Sequence, residues 1–491
     1  MQSKRQLKKT IYDVLIVGSG VAGMYGALHF DDDTDVLLLS KYGKTVSNSN
    51  LAQGGVAAVL SFKDDSFEQH IEDTMIAGLR CNDIEAVDIL VREGPNDVRR
   101  LIEWGVNFDK NENGELDLTL EGGHSRRRIL HYKDSTGAEI VRGLLKKVEE
   151  KENIELAENA YLCDLTKVKS GFRADILING SYESIFCSYC ILCTGGIGRV
   201  YQYTTNPKTA TGDGIRIAYE LGARIKNLSY IQFHPTAFNS DDGERFLISE
   251  SVRGEGAYLL NCNLERFMHR YDDRLELAPR DVVSKSIILE SRRTGSNEFY
   301  LDIRHKSKEY LMERFPAIYA GCLKYGVDIS KDLIPVFPCQ HYLMGGIEVD
   351  LDSKTTVPRL YAAGECANTG VHGKNRLASN SLLEALVFSR RAAQDIKRYM
   401  ANGTPKVTEH SFNVDYTGAP LPPGTADEIR SIMQRSYFVL PNPDKIRTGL
   451  QQAENILKRL KSAKFAKTID YLEALSLATV ATIILSEVEN L

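Results

Sequence analysis

The stretch "YDVLIVGSGVAGMYGALHF" constrains this chain more than any other: an apolar strand over residues 14–17 runs into Gly18, Ser19, Gly20, Val21, Ala22 and Gly23, and then into a helical pattern. A G-x-G-x-x-G turn between strand and helix predicts a dinucleotide-binding βαβ unit. Gly18 permits the tight turn, Gly20 lets the backbone approach a pyrophosphate, and Gly23 lets the helix lie close to the strand. The helix N-terminus then faces the phosphates. The next strand, "DVLLLSKYG", ends in Ser40-Lys41 where a nicotinamide site would place an acidic ribose ligand, which disfavours a simple NAD enzyme.

At 491 residues, with 43% hydrophobic and 26% charged residues, the chain predicts a globular protein of two or three domains. Its formal net charge of -5 argues against nucleic-acid binding. The basic start "MQSKRQLKK" lacks the apolar segment of a secretory signal, and no run reaches the roughly 18 apolar residues of a membrane span. A cytoplasmic protein without membrane partners is expected. Nine cysteines do not make a dense disulfide framework. Cys187, Cys190 and Cys193 have the spacing of an iron-sulfur run but lack a fourth Cys-Pro, so "CSYCILCTGG" reads as a buried strand and no metal site is expected.

"ILCTGG", "TGDGIRIAYELGA" and "RLYAAGECA" continue the α/β pattern, but a different block, residues 228–342, interrupts it. Beyond residue 412 the three-to-four-residue apolar spacing is helical. The expected organisation is therefore residues 1–227 with 343–412, an inserted domain over 228–342, and a helical domain over 413–491. The loop in "GVHGKNRLASNSLLEAL" carries His372, Lys374 and Arg376 ahead of Ser379-Asn380-Ser381, the usual N-cap residue types, and so predicts an anion site at a helix start. A capped surface helix with solvated charges would share that pattern.

Several segments taken together decide the matter. "NLAQGGVAAV", "QFHPTAF", "RGEGAYL", "PRDVV", "HYLMGGI", "AAGE" and "HGKNRLASNSLLE" occur in order over most of the chain, and they resemble the flavoproteins of the fumarate reductase and succinate dehydrogenase superfamily. Within it the chain is most similar to the L-aspartate oxidases, which oxidise L-aspartate to iminoaspartate on the route through quinolinate to NAD. Two departures from the respiratory enzymes support that branch. Glu121 stands ahead of paired glycines where fumarate reductases carry phenylalanine, and Asn48 stands where a histidine usually tethers the flavin. A soluble fumarate reductase is the alternative reading.

The resemblance implies a Rossmann-like FAD-binding domain interrupted by an α+β capping domain and followed by helices, with FAD bound non-covalently. It places FAD against Ser19 to Ala22, Lys41, the run Asn48, Ser49, Asn50, Leu51, Ala52, Gln53, Gly54 and Gly55, then Asp213, Glu365, Ser381 and Leu382. It implies that His234, Ser249, His341 and Arg376 bind the substrate carboxylates, that Glu121 orients the ammonium, and that Arg280 exchanges a proton at C3. Oxygen or fumarate would accept the electrons, and a transient contact with quinolinate synthase is expected. The chain stops at "SEVENL", ahead of the Arg-Gly-x-His-containing tail common in aspartate oxidases, so a shortened helical domain is expected.

Overall fold

The computed structural model describes residues 6–240, 245–403, 405–409 and 414–490. Residues 1–5 of the basic start, and the boundary expected at 412 and 413, lie outside the described residues.

The strand Ile11–Val17 lies between Val36–Leu39 and Ser181–Leu192 and is parallel to both, with Val14 opposite Val36 and Val17 opposite Leu192. Ile154–Ala157 extends the sheet beyond Val36–Leu39, and the antiparallel strands Gly171–Ile178 and Ala160–Val168 lie on the other side. Leu360–Ala362 then joins Ser181–Leu192 in parallel, so the chain returns to its first sheet after the inserted block.

The apolar run of the first strand is buried on both faces, as a covered parallel sheet requires. Its period of two divides the residues between two cores. Leu15 and Val17 share one with Leu37, Cys187 and Cys190. Val14 and Ile16 share the other with Leu38, Tyr189 and Cys193. All three cysteines of the "CSYCILC" run are free and buried, and burial raises their thiol pKa values, so they pack as small hydrophobes.

One face is covered by the helices Val21–Ala27, Thr136–Glu149 and Asn380–Ala401. On the other lie Asp213–Glu220 and the C-terminal helices Thr425–Ser436, Pro443–Ser462 and Ile469–Glu489, whose apolar residues belong to the same core as Leu15 and Val17. Contrary to the sequence expectation, Ile469–Glu489 is long and apolar enough by composition to cross a membrane. It is apolar nearly all round because 67% of its most apolar window is buried inside the protein.

Within residues 228–342 a four-stranded antiparallel sheet runs in the order Ile231–Phe238, Ile334–Leu343, Tyr300–Asp302, Tyr258–Leu260. It has its own apolar cluster, including Phe238, Val283, Ile287, Phe299 and Val336. Four elements of this block carry site residues: Ile231–Phe238 holds Gln232 and His234, the helix Glu250–Gly254 begins at Glu250 after its cap Ser249, the helix Arg280–Thr294 begins at Arg280, and Ile334–Leu343 holds His341. The first strand slips register between Gln232 and Phe233 and again after His234. Such irregularities re-aim side chains.

Candidate active site

One cavity joins the glycine turn to a group of charged side chains. It starts at Gly18, Ser19 and Gly20, passes Lys41, Tyr161, Asp213, Asn48 and Glu365, and ends among Glu121, Ser249, Arg280, His341 and Arg376.

The turn is built as its sequence demands. Gly18 has φ +116°, and a Cβ there would come within 2.1 Å of the Cys193 carbonyl oxygen. A Cβ on Gly23 would come within 1.8 Å of the Gly18 carbonyl oxygen, whereas one on Gly20 would meet Ser49 Oγ at 3.2 Å and Ser47 Cβ at 4.0 Å. Gly18 and Gly23 therefore serve packing, and Gly20 borders the cavity. This is the cradle that the pyrophosphate of a dinucleotide such as FAD needs. Of the expected cofactor contacts, all but Gly23 and Asn50 line the cavity. Gly23 is packed against Gly18, and Asn50 sits within the short helical turn Ser49–Leu51.

Ser40, at the end of the second strand, accepts the Ser19 hydroxyl at 2.7 Å, and no carboxylate takes its place. Asn48 Nδ2 donates to Glu365 Oε2 at 3.1 Å, and the Leu343 N–H donates to the other oxygen at 3.1 Å. Burial pushes the Glu365 carboxyl up to about 7 although both donors oppose the rise.

The helix Asn380–Ala401 starts one residue past Ser379, and Ser381 and Leu382 at its N-terminus border the cavity. The expected side-chain cap is absent: Ser379 has φ +63° and its hydroxyl makes no cap bond. That hydroxyl instead donates to Glu121 Oε2 and accepts the Gly55 N–H. Lys374 is directed over the Tyr230 ring, and His372 Nε2 lies 2.9 Å from Glu384 Oε2, so neither lines the cavity.

Arg376 is buried over the Tyr342 ring, 4.4 Å from its centre. It donates to Ser381 Oγ at 2.8 Å and Gln232 Oε1 at 3.2 Å, and lies 3.3 Å from His341 Nε2. Burial and then Arg280 lower its pKa to about 10. Its Nε has no partner among the described residues. Arg280 donates to Glu250 Oε2 at 2.6 Å and to Gln232 Oε1 at 3.0 Å. The side-chain oxygen of Gln232 thus holds both guanidinium groups together.

His341 stands between Arg376 and Thr205, whose Oγ1 is 2.8 Å from Nδ1. Burial, with Arg280 and Arg376 nearby, holds it well below the ordinary histidine range, so it is neutral. Since the arginine offers only donors, Nε2 accepts from it and Nδ1–H donates to Thr205. His234 does not line the cavity. It is fully buried, accepts the Thr236 N–H through Nδ1, and its Nε2 is unpartnered among the described residues, with its ring 5.0 Å from that of His341. Ser249 caps the helix Glu250–Gly254 and borders the cavity.

Glu121 is only 9% exposed and has no ion pair within 4 Å among the described residues. Burial raises its pKa against the Ser379 hydrogen bond. Its loop is anchored by His124, which bridges the Ala378 carbonyl and the buried Arg128, and by Asp73, which accepts from Ser125 and Arg128. Glu250 differs: it is shared by Arg280 at 2.6 Å and Arg253 at 3.7 Å.

Sequence reasoning passed over Gln232, Glu250 and Thr205. Gln232 is two residues from His234 on one strand, and Glu250 is three from Arg253 on one helix; those spacings carried the available signal. Thr205 approaches His341 only through the fold.

Residues 13–382 match the family described as FAD binding domain. L-aspartate oxidase of Clostridium perfringens is 49% identical over 401 residues, covering 80% of this chain and 88% of that protein. The Acinetobacter baylyi L-aspartate oxidase is 41% identical over 461 residues, 92% of this chain and 82% of that one. The chloroplastic L-aspartate oxidase of Oryza sativa is 46% identical over 78% of this chain, which spans 62% of its length. An Escherichia coli quinol fumarate reductase chain superposes with a TM-score of 0.89 at 28% identity, covering 98% of this chain and 89% of that one. The FAD cradle, the paired arginines and these likenesses agree, and the chain belongs to the L-aspartate oxidase family of FAD-binding flavoproteins.

Proposed function

We propose that the protein oxidises L-aspartate to iminoaspartate, with oxygen or fumarate as electron acceptor, as the first step of NAD synthesis through quinolinate. The observation that carries the reading is Glu121, a buried carboxylate with no ion pair among the described residues, at the arginine-lined end of an FAD cavity. Arginines suit a dicarboxylate, whereas an unpaired acid beside them suits the ammonium that only the amino acid brings.

When bound, FAD supplies the two-electron acceptor. Arg376 binds one carboxylate through its planar fork, helped by His341 and Ser249. Thr205 can donate to or accept from His341 Nδ1, so the imidazole can change tautomer and present Nε2–H to the substrate. Glu121 pairs with the ammonium, and its raised pKa favours taking the ammonium proton as the C2–H bond breaks. In the fumarate direction Arg280 delivers a proton to C3, and Glu250, 2.6 Å away, holds its guanidinium for that task. His234 supports His341 from behind.

Iminoaspartate hydrolyses in water, which favours rapid hand-over to quinolinate synthase in the cytoplasm. Mixing the FAD-loaded protein with L-aspartate without oxygen tests the reading. The yellow colour should bleach with aspartate and persist with succinate; the reverse order would replace an aspartate oxidase with a dicarboxylate oxidoreductase.

A further inference from the structure

Away from the arginines, the cavity wall carries an ionic group that the reaction does not use. Lys41 Nζ lies 2.8 Å from Asp213 Oδ2, 2.8 Å from Thr211 Oγ1 and 2.6 Å from Glu473 Oε1. An ammonium has three donors, so these oxygens occupy all of them. Burial alone would lower the Lys41 pKa, but Asp213 and Glu473 outweigh it and keep the group charged. Asp213 is held in turn by the Thr211 hydroxyl at 2.8 Å and the Tyr161 hydroxyl at 3.0 Å.

Lys41, Tyr161 and Asp213 border the cavity, and Glu473 does not. Glu473 arrives from the first turns of the buried helix Ile469–Glu489, and the Tyr42 hydroxyl also reaches it at 3.4 Å. The helix Ile469–Glu489 therefore meets the cofactor wall through the Glu473 carboxylate held behind Lys41, and Ser476 one turn further on also bonds Asp213.

We infer that Glu473 is a positioning residue of the FAD site: by clamping Lys41 against Asp213 it couples docking of the C-terminal helix to cofactor affinity. The inference rests on FAD occupying this cavity. Coupling is reciprocal, so a helix that favours FAD when docked is held more firmly once FAD is bound. A purely electrostatic role has the opposite sign, because removing a negative charge near a pyrophosphate would tighten binding.

The test removes FAD from the full-length protein and titrates it back by flavin fluorescence, while hydrogen exchange follows helix 469–489. Glu473→Gln should raise the FAD Kd at least about fivefold, the low end of ordinary coupling between sites. Glu487→Gln, on the same helix but accepting the Ser229 N–H, should not change it. FAD should slow exchange in the helix of the unaltered protein and fail to do so in Glu473→Gln. Should Glu473→Gln not fold, Glu473→Asp keeps the charge and shortens the reach, and a weakened FAD complex is again expected. An unchanged or lower Kd in either variant overturns the inference, as does equal protection by FAD in the unaltered and variant proteins. An unaltered protein that binds no FAD would instead sink the cofactor assignment.

Discussion

Ser379 Oγ accepts the Gly55 N–H at 3.1 Å and donates its proton to Glu121 Oε2 at 2.5 Å. The Gly55 contact occupies one lone pair, so the hydroxyl proton is directed at the carboxylate. The residue has φ +63°, a conformation that costs a side chain about 1 to 2 kcal/mol. The strained position places the hydroxyl between the FAD-side loop and Glu121, which has no ion pair among the described residues.

Ser379→Ala should shift the acid limb of kcat/KM for aspartate to higher pH. Glu121 must be ionised to pair with the ammonium; burial raises its pKa and the Ser379 hydrogen bond lowers it. Removing that bond raises the pKa further, so activity is lost earlier as pH falls. Ser379→Gly should show the same shift while relieving the backbone strain. An unmoved limb in both variants would mean that Ser379 serves only the turn.

Glu121→Gln should impair aspartate oxidation far more than fumarate reduction, because only aspartate presents an ammonium. A lost charge-assisted hydrogen bond costs about 1.5 to 3 kcal/mol, or roughly 10-fold to 150-fold in rate. Parallel assays of both reactions on FAD-loaded protein decide it. Equal slowing would reduce Glu121 to a loop support.

The sheet and its glycine turn were legible because their signals are local: an apolar strand, three glycines at fixed spacing and a helix. Arg280, His341 and Glu121 were legible only through family resemblance, since they lie on separate elements that the fold brings together, whereas Arg376 was also marked by its loop ahead of a helix start. The Gln232 bridge between two arginines was hidden, as an amide in an apolar strand has no distinctive spacing and a register slip re-aims it. Ser379 misled for a related reason. Its neighbours suggested an N-cap, but the tertiary demand of Glu121 and Gly55 took its hydroxyl from the helix.

Arg280→Leu should suppress fumarate reduction most severely, since it removes the proton donor expected at C3. Glu250→Gln should reproduce part of the loss, because among the described residues Arg280 then loses its charged anchor and keeps the neutral Gln232. A stopped-flow assay with reduced protein and fumarate measures both. Full fumarate turnover in Arg280→Leu would move the proton donor elsewhere.

Buried histidines should make the protein sensitive to mild acid. Burial lowers His124 to about 4 and holds His70 well below its ordinary value, so both are neutral when folded and gain protons more easily when unfolded. Stability from such a group is present above the unfolded pKa near 6.5 and is lost as pH falls toward the folded pKa. For His124 alone the loss by pH 4 is roughly 2 to 4 kcal/mol. Urea midpoints should fall between pH 6.5 and 4, and His124→Gln should flatten that dependence; an unchanged slope would rule out His124 as its source.

FAD should leave the protein intact on acid precipitation. By the family resemblance Asn48 takes the place of the histidine that tethers flavin in the respiratory enzymes, and an amide is no nucleophile toward the flavin. Its side chain is also engaged, donating to Glu365 Oε2 at 3.1 Å. That bond opposes the burial that pushes Glu365 up to about 7. Asn48 and Glu365 both border the cavity, so Asn48→Ala should disturb the cofactor wall and raise the FAD Kd without altering the mode of attachment. Yellow colour in the supernatant of both proteins, with weaker fluorescence quenching by the variant, is the expected result. Flavin that stays with the denatured pellet would show a covalent link through another residue.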